Sequence, residues 1–191
     1  RATMLSEIDR LYAERPELLE PDAAATIARR SREIEDPRLL YLDLLKNCLT
    51  RFNIGERGAF VPGTGQTEPF NPQLRLTGSD WPSDAETMAG LIRLDNVQHC
   101  VTNVLERNIP GDLVETGVWR GGTTILMRAT LRAYGDTART VWAADSFAGL
   151  PAPDAERYEA DRDIDYSTEA GFHYLAVPLE DVKSNFARYG L

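Results

Sequence analysis

The chain has 191 residues, 42% of them hydrophobic and 27% charged, which is enough for one domain with a hydrophobic core plus an extension. Its formal net charge of -9 argues against nucleic acid or an anionic membrane as a partner. Because no stretch of these 191 residues is long and apolar enough to cross a membrane or has the pattern of a basic-then-apolar leader, we expect neither feature in this segment.

The first third of the chain is predicted to be helical, followed by one long interruption. Residues 3–35 indicate two charged helices around a proline-containing break, and residues 36–52 indicate a third helix with leucines at helical spacing. Residues 53–80 are rich in glycine and proline and lack periodicity, which is typical of a loop or a lid. Cys48 and Cys100 lack metal-ligand spacing, so we expect buried free thiols in a reducing cytoplasm.

A fourth helix is predicted over residues 84–108. Ser83 and Glu86 have the spacing of a capping box, which places the helix start at Asp84. Pro110 and the glycine after it end the helix. Apolar residues recur at intervals of three and four and predict one core-facing stripe, formed by Leu94, Val97, Val101, Val104 and Leu105.

The second half of the chain predicts a parallel βαβ unit. Short apolar strands at 113–117 and 140–145 flank a helix at 122–134, and such strands are usually buried on both faces. An irregular acidic stretch follows, and a last helix is expected at 179–189.

A glycine-rich turn, "ETGVWRGG", follows the first of these strands. Glu115 and Gly117 lie at the carboxyl end of that strand, and Asp145 at the carboxyl end of the next. Ligands bind beyond this edge of a parallel sheet, where glycine lets backbone N–H groups approach and the next helix offers its positive N-terminus. Since a carboxylate at Asp145 can accept both ribose hydroxyls, the pattern predicts a nucleoside ligand.

The spacing of the glycines narrows the choice of nucleoside. A dinucleotide fingerprint needs G-x-G-x-x-G, but Val118 and Trp119 stand where its second glycine should be, which disfavours a nicotinamide-dependent reductase. A ligand with an amino-acid tail, such as S-adenosylmethionine, fits better, because its ammonium can meet Glu115 and its carboxylate the backbone amides. The alternative is that Gly121 and Gly122 only permit close packing of helix and strand.

Several long motifs then carry a specific resemblance. "DWPSDAETMAGLIRLDNVQHCV", "DLVETGVWRGGTTILMRA", "VWAADSFAGLP" and "VPLEDVKSNFARYGL" resemble the TylF/MycF/NovP family of S-adenosylmethionine-dependent O-methyltransferases, which act on deoxysugars of macrolides, aminocoumarins and related natural products. The similarity runs from about Asp36 to Leu191. It implies a Rossmann-like class I methyltransferase fold, an α/β fold with a parallel sheet, preceded by N-terminal helices and a lid at residues 53–80.

The resemblance also implies which residues contact the cofactor. Asp145 would bind the ribose, with Ser146 near the adenine, and Thr87 and Met88 would approach from the preceding helix. The remaining expected contacts come from the glycine turn and are Glu115, Thr116, Gly117, Trp119, Arg120, Gly121 and Gly122.

One departure from the family concerns the metal and the catalytic base. The family's magnesium ligands and catalytic aspartate lie in motifs of the form DGDxYEST and DDY, which these 191 residues do not contain. We therefore expect Mg²⁺ without ligands in this chain, and we expect the chain to be the N-terminal half of the fold. The expected organisation is a helical extension at 1–35, a helical and lid region at 36–108, and the first half of the cofactor-binding domain at 109–191.

Other residues with catalytic potential have simpler interpretations. His99 is expected on the polar face of its helix, paired with Asp95, rather than acting as a base. His173 lies in the acidic segment, where substrate contact is the less favoured reading. A solvated loop is also preferred to a calcium site, since a calcium loop needs a glycine hinge and a final glutamate; the aspartates concerned are Asp161, Asp163 and Asp165.

The sequence thus predicts an O-methyltransferase that acts on a hydroxyl of a glycosylated natural product. The alternative is a truncated, non-catalytic half-domain that serves as a binding or scaffold module. We expect a small-molecule acceptor, no nucleic acid or membrane partner, a homo-oligomer as the resemblance implies, and a cytoplasmic location.

Overall fold

The structure, a computed structural model, describes residues 32–54, 58–61, 66–162 and 173–191. The two helices expected between residues 3 and 35 lie almost entirely outside these ranges. The chain divides into two compact units, Arg1–Leu44 and Leu45–Leu191. Among the described residues, no helix has the length and apolarity needed to cross a membrane.

The described part of the chain alternates helices with short strands. The helices are α1 (Pro37–Leu49), α2 (Pro72–Thr77), α3 (Gly90–Glu106), α4 (Gly122–Ala133) and α5 (Leu179–Arg188). The strands are β1 (Ala59–Val61), β2 (Gln66–Glu68), β3 (Leu113–Thr116) and β4 (Val141–Ala144). Single 3-10 turns occupy Glu159–Asp161 and His173–Leu175.

The predicted βαβ unit is confirmed, with boundaries within one residue of those expected. β3 and β4 pair in parallel, from Leu113 opposite Val141 to Thr116 opposite Ala144, and α4 connects them. The helices expected at 36–52 and 179–189 are confirmed as α1 and α5. The arrangement is that of a Rossmann-like α/β fold.

Only one face of the β3–β4 sheet is covered by described elements. α3 and α4 supply Val101, Met127 and Leu131 to a buried cluster against which Leu113 and Val141 pack. Alternate strand residues point to the opposite face, where Val114 is 61% and Trp142 57% exposed. The expectation of burial on both faces is therefore wrong for this part of the chain, because both helices pack on the same side.

Helix α3 begins later than the capping box predicted. It starts at Gly90 rather than Asp84, because both members of the Ser83/Glu86 pair have tertiary partners instead. The Ser83 hydroxyl donates to the Gly58 carbonyl at 3.0 Å, and the Glu86 carboxylate accepts from Arg51 at 2.5 Å. The predicted apolar stripe is confirmed: Leu94 and Val101 are buried, and its other members are partly buried.

The interruption at 53–80 contains more regular structure than its composition indicated. β1 and β2 form an antiparallel hairpin, and α2 follows, capped by the Asn71 side chain, which accepts the N–H groups of Gln73 and Leu74. Arg75 and Asp80 form a buried ion pair with Nε–Oδ2 at 2.8 Å. Movement of this segment as a lid stays a prediction.

The two cysteines differ from expectation in their burial. Both thiols are free, but Cys48 is only partly buried and Cys100 is exposed. Cys100 lies in the C-terminal half of α3, outside the stripe that faces the core, and its thiol donates to the Asn96 side chain at 3.9 Å.

Candidate cofactor site

A cavity of about 530 Å³ lies at the carboxyl ends of β3 and β4, a volume in the range of small-molecule sites. The strand ends and the segment before α3 meet there because the βαβ connection brings both strand termini to one edge of the sheet. The predicted site residues that line the cavity are Thr87, Met88, Glu115, Gly117, Trp119, Asp145 and Ser146. Residues that sequence reasoning did not select also line it, among them Arg93, Thr123, Leu150 and Leu175.

Glu115 is a partly buried carboxylate on the wall of this cavity. Burial raises its pKa above the ordinary value, hydrogen bonds from Thr124 and Thr123 lower it in part, and the nearby Asp145 carboxylate raises it; the net shift is upward. The Thr124 hydroxyl donates to Glu115 Oε2. A cationic ligand group next to Glu115 would relieve the cost of this buried charge.

Asp145 has a different environment at the end of β4. Its Oδ2 accepts the backbone N–H groups of Val118 at 2.6 Å and Trp119 at 3.3 Å, and its Oδ1 accepts that of Phe147 at 2.8 Å. Although partial burial raises its pKa, these backbone hydrogen bonds outweigh burial and lower it. Asp145 is therefore ionised at neutral pH and holds the glycine turn against the second strand.

The turn after β3 has an unusual backbone. Gly117 has φ +83° and a Cβ there would meet nothing within 4 Å, so the glycine is required by its conformation rather than by lack of space. Trp119 has φ +51°, which is rare for a bulky residue. Its indole N–H donates to the Tyr174 carbonyl at 3.0 Å, and the Arg120 guanidinium lies 4.3 Å from the indole centroid.

The rest of the predicted turn does not reach the cavity. Thr116 lies on the exposed side of β3, and the Arg120 guanidinium donates to the carbonyls of Ser83 and Ala85. A Cβ at Gly121 would lie 3.0 Å from Val182 of α5, and one at Gly122 would lie 2.6 Å from the Glu86 carbonyl oxygen. These two glycines thus allow close packing, as the alternative interpretation proposed, but against α5 and the Glu86 backbone rather than the strand.

The segment before α3 is hydrogen-bonded to the start of α4. The Gly122 N–H donates to the Glu86 carbonyl at 2.9 Å, and the Thr87 hydroxyl lies 3.5 Å from that of Thr123. Thr87 also accepts the N–H of Ala89 at 3.0 Å. Thr87 and Met88 therefore reach the cavity from a loop, not from the capped helix that the sequence predicted.

The ionisable residues considered as alternatives are placed outside this cavity or outside the described residues. His99 is exposed on α3, and its expected partner Asp95 accepts from Lys46 at 2.5 Å. Asp161 accepts the N–H of Asp154 at 3.0 Å, whereas the His173 side chain, Asp163 and Asp165 are not described. Within the described residues, no group of three or more His, Cys, Asp and Glu side chains could hold a metal ion.

Comparisons with known proteins show similarity over most of the chain. The family described as "Macrocin-O-methyltransferase (TylF)" matches residues 38–191. The chain is 54% identical, over 157 residues, to 8-demethyl-8-(2,3-dimethoxy-alpha-L-rhamnosyl)-tetracenomycin-C 4'-O-methyltransferase of Streptomyces olivaceus, covering 82% of this chain and 59% of that protein. It is 42% identical to mycinamicin III 3''-O-methyltransferase of Micromonospora griseorubida, covering 80% and 59%.

A solved structure shows the same fold. The O-methyltransferase NovP superposes with a TM-score of 0.72 at 42% identity, covering 81% of this chain and 60% of that chain. The chain therefore spans about three-fifths of the length of the relatives it matches.

Proposed function

Because the chain belongs to the TylF macrocin O-methyltransferase family, we propose that the protein transfers a methyl group from S-adenosylmethionine to a hydroxyl of a glycosylated natural product. The observation that carries the proposal is the cavity between Glu115 and Asp145, two carboxylates at the carboxyl ends of adjacent parallel strands. A nucleoside whose amino-acid tail carries an ammonium group could meet Glu115 with that group and Asp145 with its ribose.

The residues around the cavity fit S-adenosylmethionine in charge and polarity. Glu115 is a partly buried carboxylate and suits the ammonium of the amino-acid tail. Asp145 Oδ2 already accepts two backbone N–H groups, whereas Oδ1 accepts one from Phe147 and keeps lone-pair capacity for a ribose hydroxyl. Met88, Leu150 and Leu175 supply apolar surface for the adenine, and the Ser146 hydroxyl, which donates to the Gly149 carbonyl at 3.1 Å, lies beside them.

The chemistry proposed is a direct displacement. S-adenosylmethionine supplies an electrophilic methyl group on a sulfonium. The acceptor oxygen forms the new bond to carbon as the carbon–sulfur bond breaks, and the hydroxyl proton leaves to a base that we do not assign among the described residues. The role of this chain is to bind and orient, which supplies a large part of the barrier reduction when reactants are held in line.

The substrates for which the relatives are named indicate the kind of molecule that accepts the methyl group. One relative is named for a rhamnosyl group on a tetracenomycin, and another for the 3'' position of mycinamicin III. We therefore propose a sugar hydroxyl of a glycosylated natural product as the acceptor in this protein. A homo-oligomer and a cytoplasmic location complete the proposal, and two free thiols agree with a reducing compartment.

Magnesium, which the family resemblance implies, finds no ligand set in the described part of this chain. No step of the proposed reaction is therefore assigned to a metal held by these residues. The two carboxylates that line the cavity, Glu115 and Asp145, accept hydrogen bonds from threonine hydroxyls and from backbone N–H groups, respectively.

The proposal is tested by calorimetry of S-adenosylmethionine binding to the full-length protein, with Asp145→Ala as the informative variant. Hydrogen bonds to a charged group contribute roughly 1.5–3 kcal/mol each, so affinity should fall about tenfold to several hundredfold. Asp145→Asn should lose less, since it keeps one acceptor oxygen. Glu180→Ala is the control, because Glu180 is an exposed carboxylate on α5 paired with Lys183.

Transfer of a labelled methyl group to glycosylated acceptors separates the two candidate functions. Binding together with transfer supports the methyltransferase. Binding without transfer to any such acceptor would favour the non-catalytic binding module, and Asp145→Ala with unchanged affinity would show that the cofactor does not lie at this strand end.

A further inference from the structure

The carboxylate of Glu115 accepts a hydrogen bond from helix α4 on the side that faces the protein interior. Thr124 lies in the first turn of α4, is 1% exposed, and donates its hydroxyl hydrogen to Glu115 Oε2. Thr124 is not among the residues that line the cavity. The hydroxyl therefore acts on Glu115 from the protein interior, and a ligand in the cavity would not touch it.

We propose that Thr124 is a positioning residue that fixes the Glu115 carboxylate for the ammonium group of S-adenosylmethionine. This inference rests on the proposed function and extends it to a residue outside the cavity. For this role, one oxygen of Glu115 must accept from the buried hydroxyl while the carboxylate stays accessible to a cation. Both conditions are met at the end of β3, where Oε2 accepts from Thr124 and Glu115 lines the cavity.

The charge balance around Glu115 makes this hydrogen bond important. Burial and the Asp145 carboxylate both raise the pKa of Glu115, whereas the threonine hydroxyls lower it. Arg93 also lines the cavity, but its guanidinium donates to the Gly78 carbonyl at 2.7 Å. Loss of the Thr124 hydroxyl would raise the pKa of Glu115 further, and the protonated side chain cannot pair with an ammonium group.

The first test is Thr124→Val, which removes the hydroxyl and keeps the branched shape. We expect S-adenosylmethionine to bind about tenfold more weakly at pH 7, because the Glu115 carboxylate is no longer fixed in place and a larger share of it is protonated. Affinity of the unmodified protein should fall as the pH decreases and Glu115 takes up a proton. In Thr124→Val the midpoint of that fall should move upward by about one pH unit. Calorimetry between pH 5 and about pH 8 measures both effects.

Two further variants separate positioning from mere support of the fold. Thr124→Ser restores the hydroxyl and should recover both the affinity and the pH midpoint. Thr130→Val is the matched control: Thr130 is buried on the same helix, but its hydroxyl donates to the Leu126 carbonyl at 2.8 Å. It should leave affinity and midpoint unchanged.

Three results would overturn the inference. In the first, the Thr124→Val protein binds S-adenosylmethionine with the affinity and the pH midpoint of the unmodified protein. Another is a loss of affinity that is equal at every pH and is not recovered by Thr124→Ser, which would mean that Thr124 only supports α4. The third, failure of the unmodified protein to bind S-adenosylmethionine at all, would overturn the proposed function together with it, and the binding measurement on the unmodified protein identifies that case.

Discussion

Glu115 and Asp145 lie at equivalent ends of neighbouring strands, yet their surroundings shift their pKa values in opposite directions. The pKa of Glu115 is raised mainly by burial. The pKa of Asp145 is lowered, because hydrogen bonds from backbone N–H groups outweigh the effect of its burial. A carboxyl whose pKa is raised on folding contributes stability below its unfolded pKa and loses it as the pH rises through the folded pKa. For Asp145 the contribution has the opposite sign: it is present above the unfolded pKa and is lost as the pH falls.

We therefore predict that Glu115→Gln stabilises the unliganded protein at neutral pH while weakening cofactor binding. The substitution removes a buried charge and keeps an oxygen that can accept from Thr124. The free energy of unfolding should rise at pH 7, with little difference near pH 4, where glutamate is largely protonated in both states. Urea unfolding at the two pH values measures this.

Asp145→Asn provides the opposite case in the same experiment. It should lower the stability at pH 7, because the N–H groups of Val118 and Trp119 lose their charged acceptor. If both substitutions changed stability in the same direction, the assigned pKa shifts of the two strand ends would be contradicted.

At the scale of elements, the contact between α4 and the loop before α3 depends on Gly122. Replacing glycine by alanine within a helix normally stabilises by roughly 0.5–1 kcal/mol. Here the new Cβ would lie 2.6 Å from the backbone carbonyl oxygen of Glu86 and 2.7 Å from the Thr87 Cβ. We predict that Gly122→Ala destabilises the protein by about 1–3 kcal/mol, as expected for overpacking against backbone.

Thermal or urea unfolding checks this prediction, and the sign of the change in the free energy of unfolding is enough to decide it. Gly135→Ala provides a contrast: Gly135 has φ +75°, a conformation that Gly122 does not share, and a Cβ there would meet nothing within 4 Å. It reports the cost of backbone conformation without a steric contact. A stabilised Gly122→Ala protein would mean that the loop moves away from α4 freely.

The segment between α1 and α3 should not behave as one unit. α2 is held by the buried Arg75–Asp80 pair, and Arg75 also donates to the Thr50 carbonyl at 2.6 Å. All three residues of β2 are exposed, and among the described residues its ladder with β1 has two strands, which is marginal for stability. β1 is bonded on its other side as well, since the Phe60 N–H donates to the Trp81 carbonyl at 2.6 Å. We therefore predict fast amide exchange in β2 and slow exchange in α2.

Hydrogen exchange with and without S-adenosylmethionine and an acceptor tests the lid prediction directly. Exchange in the hairpin should slow when both ligands are present, whereas exchange in α4 should change little. Equal protection of the hairpin and α2 before any ligand is added would identify the hairpin as a structural element rather than a lid.

At the scale of the whole molecule, the sequence predicts the elements that depend on interactions between residues close together in the chain. The β3–α4–β4 unit follows from apolar runs and a glycine turn, and its boundaries were predicted within one residue. The start of α3 was wrong because Ser83 and Glu86 bond to residues far away in the sequence. The hydroxyl of Thr124 was missed for the same reason, since its partner lies across the helix–strand contact.

Most predicted residues at the strand ends line the cavity, as does Trp119 within the turn, whereas the last three residues of the turn do not. Glu115, Gly117 and Asp145 reach the cavity because parallel strands bring their carboxyl ends together. Arg120, Gly121 and Gly122 follow them in the chain, but the left-handed backbone at Trp119 redirects them toward α5 and the loop before α3. No sequence pattern indicates a positive φ at tryptophan, which is why this part could not be predicted. That they contact a cofactor remains a prediction.

The three tryptophans differ in their exposure, which offers an intrinsic optical signal for occupancy of the cavity. Trp119 is buried in the cavity wall, with its ring near Tyr174 and Arg120, whereas Trp142 is exposed on the open side of the sheet. A water-soluble quencher such as iodide reaches Trp142 first, so the emission that resists quenching comes mainly from the other two indoles. Trp119 is the tryptophan that lines the cavity, so a nucleoside that enters it would alter the surroundings of Trp119 directly. Its occupancy can therefore be followed by fluorescence, without a label and without turnover.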